Sequence, residues 1–348
     1  MSFIHFVRDS WLTASYYTGL SQLYNVLAGR KWGIISYHNV LPVSSLLPFD
    51  TYNVDITAAV FDKQLTFLKK HFRVLPIQEL ENPNAQGLFL TVDDGMLNNY
   101  EILAPILDRH NFSALFAICP AMIDGEIPHI WRDHLFLLLQ QAEGQNVFLP
   151  INNYQKPFCV TEDFPIPGVP AFESLGSLNA LTRQLKKYIY EKQIADIYGL
   201  LQEICTKNGW LYGPMTHDPL RYQFMNWVQI KDLTKRGHRI ASHTMTHRIL
   251  KFLSEKEKQY ELVESKKRLE MQLNVPIDIL VYPYGGMAEI DEATVNAVKE
   301  AGYQTALMNV RHHSLPEPSL TLPRFAFPPV ADAAHLHAIV SGYKFLFR

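Results

Sequence analysis

The sequence has few cysteines, no marked excess of either charge and no long apolar run, and each shortage excludes a class of protein. Its 348 residues include three cysteines, Cys119, Cys159 and Cys205, too few and too widely spaced for a disulfide framework. Each is most simply a small buried apolar residue, which fits a reducing compartment. A formal net charge of -2 offers no basic surface for nucleic acid.

The sequence also lacks the segments that direct a chain into or across a membrane. No run of about 18 apolar residues predicts a membrane-spanning helix. The start of the chain has no basic segment, unbroken apolar core or small-residue cleavage site, so we predict no secretory signal and a cytoplasmic location. Residues 1–32 do predict an amphipathic helix, whose apolar stripe is formed by Phe3, Val7, Trp11, Ala14, Tyr17, Leu20, Tyr24 and Leu27. We expect this stripe to pack on its own domain; peripheral contact with the inner face of the membrane is the alternative.

What the sequence does contain is enough apolar material for a sizeable core, 47% of the residues, arranged in alternating strands and helices. This alternation predicts an α/β fold with a parallel sheet wrapped by helices. The predicted strands are residues 33–37, the run that begins at 88, 113–119, 239–242, 278–282, 304–308 and 320–326.

Helix signals separate these strands, and one region breaks the rhythm. We predict helices that start near Asn226 and stop at Gly237, that run from a capping box at Ser254 and Glu257 to about Leu273, and that run from Asp291 to Gly302. Residues 124–221 are too long for one loop and predict a mostly helical insertion. The insertion is either a lid beside the site or an ornament of the fold.

An apolar run that ends in two carboxylates and a glycine stands at the centre of this pattern: LFLTVDDGMLN at 88–98. Such runs are typical of buried parallel strands, and α/β folds place their chemistry at the carboxyl ends of those strands. Because side chains alternate along an extended strand, we expect Asp93 and Asp94 to point to opposite sides, so that one binds a metal and the other faces a substrate. Gly95 allows the turn that follows. The alternative is an aspartate that caps a helix near Leu97.

A second cluster of this kind lies about 150 residues downstream, in GHRIASHTMTH. His243 and His247 follow the predicted strand Arg239–Ser242, and imidazoles four residues apart bind one divalent ion when the turn between them is helical or tight. With Asp94 they form a set of two histidines and one carboxylate that leaves positions open for water and substrate. This spacing alone is more often incidental, but two strand-end clusters with complementary ligand chemistry favour a metal site.

Three short motifs, in this order, resemble signatures of the polysaccharide deacetylases, the NodB-like carbohydrate esterases of family 4: TVDDG at 91–95, HTMTH at 243–247 and YPYG at 282–285. The segments ISYHNV at 35–40, FMNWVQIKDL before the histidines and LPRF at 322–325 are similar to the branch that acts on surface polysaccharides. The resemblance covers roughly residues 31 to 341, with a poor match from about 124 to 221. It implies a distorted (β/α) barrel of about seven parallel strands over residues 33–348.

The resemblance also implies a set of roles. Asp94, His243 and His247 are expected to bind a divalent cation and Asp93 to act as general base. The backbone N–H of Tyr284 is expected to help hold the oxyanion, and Pro283 is expected to fix the turn that presents this N–H. The cation is expected to be Zn²⁺, although Co²⁺, Ni²⁺, Mn²⁺ and Fe²⁺ can use the same ligands.

Two departures from the family pattern raise separate expectations. The family's third motif usually carries an arginine three residues before its proline, where this chain has Leu280. Arg324 is the expected substitute, keeping Asp93 ionised and oriented; a salt bridge at the barrel rim is the alternative. The late Leu-His motif that supplies the family's general acid is not found, since His335 and His337 lie in a predicted terminal helix and suit surface or packing positions.

His38 is a further candidate for a role in the site. It closes the first predicted strand, so barrel geometry would bring it to the same rim as Asp94 and His243. We hypothesise that it donates a proton or contacts the substrate; a structural hydrogen bond is the alternative.

These features predict a metal-dependent deacetylase acting on an N-acetylated glycan or on its lipid-linked or nucleotide-linked precursor. The lack of an export signal favours a precursor met inside the cell. The alternatives are hydrolysis of another non-peptide C–N amide bond and a non-catalytic glycan-binding barrel, which would have no need of Asp93. The sugar, its linkage, the choice between N-acetyl and O-acetyl, and the oligomeric state are left open.

Overall fold

Parallel strands form the centre of the molecule. The computed structural model describes residues 3–27, 33–45, 55–140, 146–147, 158–159, 182, 185–213, 218–310, 318–330 and 332–342. The strands are β1 Gly33–Tyr37, β2 Asn39–Leu41, β3 Asp55–Thr57, β4 Leu88–Val92, β5 Leu115–Ile118, β6 Asn146–Val147, β7 Phe158–Cys159, β8 Arg239–Ser242, β9 Ile279–Val281, β10 Thr305–Met308, β11 Leu322–Pro323 and β12 Phe325–Ala326.

Eight of these segments form one sheet in the order β11-β10-β9-β8-β5-β4-β1-β12, and every pairing in it is parallel. β11 and β12 are two pieces of the predicted strand 320–326, separated at Arg324, and they pair with opposite edges of the sheet. The bend at Arg324 therefore nearly closes the sheet into a barrel. The prediction of a distorted (β/α) barrel of about seven strands is confirmed, because two of the eight segments are halves of one.

The barrel strands are apolar on both faces because both faces are buried. Their inward side chains form one cluster with residues 75–80 and 85, and it includes Ile34, Phe89, Leu115, Ala117, Ala241, Ile279, Val281 and Leu307. Their outward side chains pack on the surrounding helices in a larger cluster. This packing fixes the strand ends, which is where the candidate site lies.

Helices surround the sheet, and the predicted caps are present. The helices are Phe3–Tyr17, Leu20–Leu27, Ala58–His71, Ala104–His110, Pro120–Ile123, Trp131–Gln140, Ile197–Asn208, Pro219–Tyr222, Trp227–Lys235, Glu255–Gln259, Ser265–Leu273, Glu292–Glu300 and Ala333–Val340, and residues 185–191 are helical too. Asn226 and Ser254 form capping boxes, and the Asp291 side chain accepts from the Thr294 N–H. The predicted long helix from Ser254 is interrupted by a π-helical turn over Tyr260–Glu264.

The N-terminal segment differs from its prediction. It forms two helices rather than one, because Gly19 adopts a left-handed φ of 80° between them. Among the side chains that the structure describes here, the predicted stripe residues Trp11 and Tyr17 are 46% and 76% exposed, while Leu12 is buried against Ala338. Tyr24, another residue of the stripe, is half-buried against the same cluster, so only part of the predicted stripe packs on the domain. Contact of the exposed face with a membrane stays a prediction.

Within the described ranges, no helix combines the length and the apolar character needed to cross a bilayer. Cys119 and Cys205 are buried, as predicted, whereas the Cys159 side chain and the Pro-rich stretch at 164–170 lie outside the described residues. The regular elements described in 124–221 are helices apart from the short β6–β7 pair, and residues 124–130, 192–196 and 209–213 form turns and loops. The limits of that insertion, of the N-terminal segment 1–32 and of the domain 33–348 stay predictions.

Candidate metal centre and the cavity above it

The two adjacent carboxylates sit where β4 ends. The extended backbone stops at Val92, and Asp94 adopts a left-handed φ of 79°, followed by Gly95 at 71°. A Cβ on Gly95 would lie 3.0 Å from Ile118 Cδ1, so this turn favours glycine on two counts. Asp93 and Asp94 do point to different partners, as predicted. The predicted cause, alternation along an extended strand, is wrong, because the backbone turns at Asp94. Neither carboxylate is seen capping a helix within the described residues.

The two histidines follow β8 in a tight loop rather than in a helical turn. Thr244 and His247 have positive φ angles of 63° and 59°, an uncommon state for such residues that surrounding structure must hold. The loop is closed by a hydrogen bond of 3.2 Å from the His247 N–H to Thr244 Oγ1. As a result, the rings of His243 and His247 lie with their centroids 4.8 Å apart.

Asp94 faces both imidazoles. Its Oδ1 lies 3.4 Å from His243 Nε2 and 3.1 Å from His247 Nε2, and the three ligand atoms lie within 4.8 Å of one another. This buried oxygen has no hydrogen-bond partner among the described residues. Burial raises the pKa of Asp94, but contacts with His243 and His247 outweigh burial and hold it well below its usual value. An ionised oxygen and two nitrogens converging in this way fit a divalent cation.

The ring orientations are those that metal ligation requires. His243 Nδ1 donates to the Val281 carbonyl at 2.6 Å, which leaves Nε2 with its lone pair towards Asp94. His247 Nδ1 lies 3.0 Å from the Tyr284 hydroxyl, which itself donates to the His247 carbonyl at 3.3 Å. Burial, the largest effect, lowers the pKa of His247 to about 4, so its ring is neutral near pH 7.

Asp93 is held by a different group. Arg324 donates to both of its oxygens, at 2.6 and 2.5 Å, and a third bond of 3.1 Å joins Arg324 to Thr91 Oγ1. Burial raises the pKa of Asp93, but the charge of Arg324 and then that of His38 outweigh burial and lower it. His38 Nε2 is 3.6 Å from Asp93 Oδ2, and its side chain is 14% exposed.

Arg324 thus occupies the place expected of the missing arginine. Leu280, the residue at the family's arginine position, is fully buried in the core, while Arg324 reaches Asp93 from the bend between β11 and β12. Its guanidinium is 2% exposed and bidentate on Asp93, so the salt bridge that it forms at the barrel rim is a buried one that also orients the expected base.

Pro283 and Tyr284 follow β9 beside the histidines. Tyr284 has a positive φ of 62°, and Gly285 follows at 67° in a turn so close to Asn309 that a Cβ there would lie 2.5 Å from its backbone N. Tyr284 stacks edge-on against His247 at 4.9 Å. No hydrogen bond from the Tyr284 N–H is found within the described part of the chain.

One residue that the sequence did not single out holds the histidine loop. Glu261 lies in the π-helical turn, is fully buried, and accepts from both the N–H and the hydroxyl of Thr246, the former at 2.8 Å. Arg248 Nε donates to the same carboxylate at 2.9 Å. π-helical turns are often found at functional sites, but the local sequence pattern around Glu261 does not indicate that such a turn forms there.

A cavity of about 220 Å³ opens above these groups. Its described lining joins His38, Asp93, His243, His247, Tyr284 and Arg324 to six residues that sequence reasoning missed: Arg132, Lys186, Tyr190, Glu289, Asn309 and Ala326. Arg132, Lys186 and Tyr190 come from the helical region 124–221, which therefore reaches the site. His335 and His337 lie elsewhere; His337 is buried against Tyr16 and Phe72, as expected of a packing residue.

Comparison with known proteins agrees with this geometry. Residues 190–306 match the family model described as polysaccharide deacetylase. Over 78 residues the chain is 36% identical to the peptidoglycan-N-acetylglucosamine deacetylase of Bacillus cereus, covering 22% of this chain and 35% of that protein. This chain therefore matches about a third of the length of that curated relative.

Two solved structures show the fold. BC0361, a polysaccharide deacetylase from Bacillus cereus, is 15% identical with a TM-score of 0.52, covering 89% of this chain and 69% of its own. The Streptococcus pyogenes deacetylase PplD, solved in complex with acetate, is 18% identical with a TM-score of 0.51, covering 88% and 96%.

Proposed function

We propose that this chain, whose residues 190–306 match the polysaccharide deacetylase model, is a metal-dependent hydrolase that removes the acetyl group from an N-acetylated sugar. The substrate is a glycan or its lipid-linked or nucleotide-linked precursor. The observation that carries the proposal is the convergence of Asp94, His243 and His247 within 4.8 Å, next to an ionised Asp93 that has no part in the ligand set.

The ligand set suits Zn²⁺, and other divalent ions can use it as well. When bound, the cation lowers the pKa of water and polarises the acetyl carbonyl. Asp94, His243 and His247 would hold it, with the ring orientations set by Val281 and Tyr284.

Asp93 is the proposed general base. A neutral amide resists attack by water, so the site must remove a proton from the attacking water. Arg324 holds both oxygens of Asp93 and keeps the carboxylate ionised, at the cost of weakening its basicity. A non-catalytic glycan-binding barrel would have no use for this buried pair, which is the argument against that alternative.

Two further groups complete the proposed chemistry. The N–H of Tyr284, presented by the turn after Pro283, stabilises the negative charge that develops on the acetyl oxygen. His38, whose Nε2 lies 3.6 Å from Asp93 Oδ2 and which lines the cavity, donates a proton to the departing amine. The absence of the family's late histidine motif makes His38 the proposed acid.

The test joins metal analysis to acetate release from N-acetylated chito-oligosaccharides. The wild-type protein should bind one divalent ion and release acetate. His247→Gln should lose the ion and at least about a thousandfold in rate, whereas Asp93→Asn should keep the ion and lose a similar factor, because an amide cannot accept the proton.

A surface variant, Glu203→Gln in the exposed pair with Lys207, is the control for general damage. Sugar binding without acetate release by metal-loaded protein would favour the glycan-binding alternative. Release of another acyl group, with no acetate, would favour hydrolysis of a different amide.

A further inference from the structure

The cavity above the metal ligands has two walls of different origin. One wall is the barrel rim, with Asp93 paired to Arg324 and Asp94 facing the histidines. The other comes from the helical region 124–221 and carries two cationic side chains, Arg132 and Lys186. Among the described lining residues, Asp93 offsets Arg324 and Glu289 offsets one of the two cations, so the lining carries one more positive than negative charge.

Arg132 is placed directly against the site. Its guanidinium carbon lies 5.0 Å from the centroid of the Tyr284 ring, a cation–π distance, and the Tyr284 hydroxyl lies 3.0 Å from His247 Nδ1. One aromatic side chain therefore separates Arg132 from a metal ligand. The indole of Trp131, next to it in the chain, also contacts Tyr284 and is fully buried, which anchors this wall.

Lys186 lies on the same wall. Its Nζ is 5.5 Å from the centroid of the Tyr190 ring, and the Tyr190 hydroxyl donates to Glu289 Oε1 at 2.6 Å. Glu289 is the acidic group on this side of the cavity, and this hydrogen bond fixes its position. Tyr190 therefore contacts both the cation and the carboxylate.

Placing two cations in one cavity costs free energy. Burial lowers the pKa of Lys186, and the charge of Arg132 lowers it further, while Glu289 opposes both effects. Like charges brought together in a partly desolvated cleft are typical of sites that bind an anion, because the anion offsets both the repulsion and the burial. Arginine and lysine are also the residues that proteins use to hold carboxylates and phosphates.

We propose that Arg132 and Lys186 form a binding site for an anionic group on the substrate, a carboxylate or a phosphate carried by the acetylated sugar or by its immediate neighbour. This inference rests on the proposed function, since it names the class of sugar that the same cavity accepts. The geometry favours an acidic N-acetylated sugar over a neutral one. The cavity is smaller than the roughly 300–1,000 Å³ of common ligand pockets, so the rest of a glycan would lie outside it.

The test compares four probes: N-acetylglucosamine, its 1-phosphate, its 6-phosphate and N-acetylglucosaminuronic acid. Binding is measured by calorimetry on metal-loaded protein, and acetate release is measured separately. Wild-type protein should prefer at least one anionic probe over the neutral one by about tenfold or more, which corresponds to about 1.4 kcal/mol. The two phosphates and the uronate distinguish the two sources of negative charge.

Arg132→Gln and Lys186→Gln should each lower this preference by about tenfold, and the double variant should abolish it. Lys187→Gln is the matched control, because Lys187 is the next residue of the same helical segment, is 74% exposed and pairs with Glu191. It should keep the preference.

Three results would overturn the proposal: equal affinity of wild-type protein for neutral and anionic probes, an unchanged preference in the double variant, or an equal loss in Lys187→Gln. Failure of the proposed function gives a different result. In that case no probe releases acetate, yet calorimetry still shows an anion preference that depends on Arg132 and Lys186.

Discussion

The strand ends of the barrel and the helices of residues 124–221 line the same cavity, but they hold their side chains by different means. At the strand ends, buried hydrogen bonds hold the side chains: Arg324 pairs with Asp93, and His243 donates to the Val281 carbonyl. On the helical wall, the cationic groups of Arg132 and Lys186 each lie over an aromatic ring.

This difference suits two tasks. Chemistry needs groups held to a fraction of an ångström, which buried hydrogen-bonded pairs achieve. Recognition of a charged group needs a field of the right sign, which side chains on an aromatic support can supply while adjusting to the ligand. The predictions below test whether the two regions are as distinct as their contacts suggest.

The largest effect is expected at the bend between β11 and β12. Arg324→Met leaves the carboxylate of Asp93 buried without its cation, which should lower the free energy of unfolding by about 3–5 kcal/mol. Acetate release should fall at least about a hundredfold, since the base is no longer oriented. Urea unfolding and acetate release at saturating metal measure the two effects, and Arg324→Lys should recover part of each.

Arg236→Met is the control, because Arg236 makes a surface pair with Asp108 that should contribute no more than about 1 kcal/mol. If the two methionine variants lose similar stability, the rim is not held by its buried pair, and the contrast with the helical wall disappears.

A smaller effect is expected where the histidine loop meets the π-helical turn. Glu261→Gln removes the charge that accepts from Thr246 and Arg248, so metal affinity should fall about 10-fold to 100-fold, as is usual for groups that orient metal ligands. Competition with a chelating dye at neutral pH measures this affinity.

Glu257→Gln is the matched control, because Glu257 contacts the same arginine at 3.1 Å but lies at the exposed start of the helix. If Glu261→Gln leaves the metal affinity unchanged, the loop that carries His243 and His247 is held by the strand ends without help from Glu261.

The smallest effect is expected in the helical region itself. His134 is fully buried near His129 and Tyr212, and burial followed by the charge of His129 lowers its pKa to about 4. Because the unfolded chain binds this proton near pH 6.5, the folded state loses stability as the pH falls from about 6.5 to 4, by at most roughly 3 kcal/mol.

His134→Leu removes this titration, so its unfolding free energy should fall less than that of wild type over the same pH range. Urea unfolding at pH 7, 6 and 5 measures the difference. If the unfolding free energies of wild type and His134→Leu fall equally with pH, buried His134 does not make the helical region more sensitive to acid than the barrel.

Much of the fold could be predicted because its signals are local. The alternation of apolar strands with capped helices predicted a parallel sheet wrapped by helices, and the resemblance implied the barrel. The caps at Asn226, Ser254 and Asp291 were correct because a cap depends on residues only three apart. Only part of the predicted N-terminal stripe packs on the domain, because an apolar period does not say which neighbours are available. Gly19 then broke the helix within that period.

The candidate site was predictable only in part, for the same physical reason. Asp94, His243 and His247 could be identified because each follows an apolar run directly, and parallel strands bring such ends together. Glu261, Arg132 and Lys186 could not, because they lie inside helices whose local patterns resemble those of ordinary surface helices.

The sequence by itself determined the type of fold, the candidate metal ligands and the presence of a second carboxylate beside them, since these follow from residue type and from position at a strand end. Only the tertiary structure decided which groups meet that carboxylate and what lines the cavity above it. Arg324 reaches Asp93 across 231 positions of chain because the barrel nearly closes at that residue, and Arg132 meets Tyr284 because the helical region packs on the rim. Contacts of that range depend on the packing of the whole barrel, which no local pattern encodes.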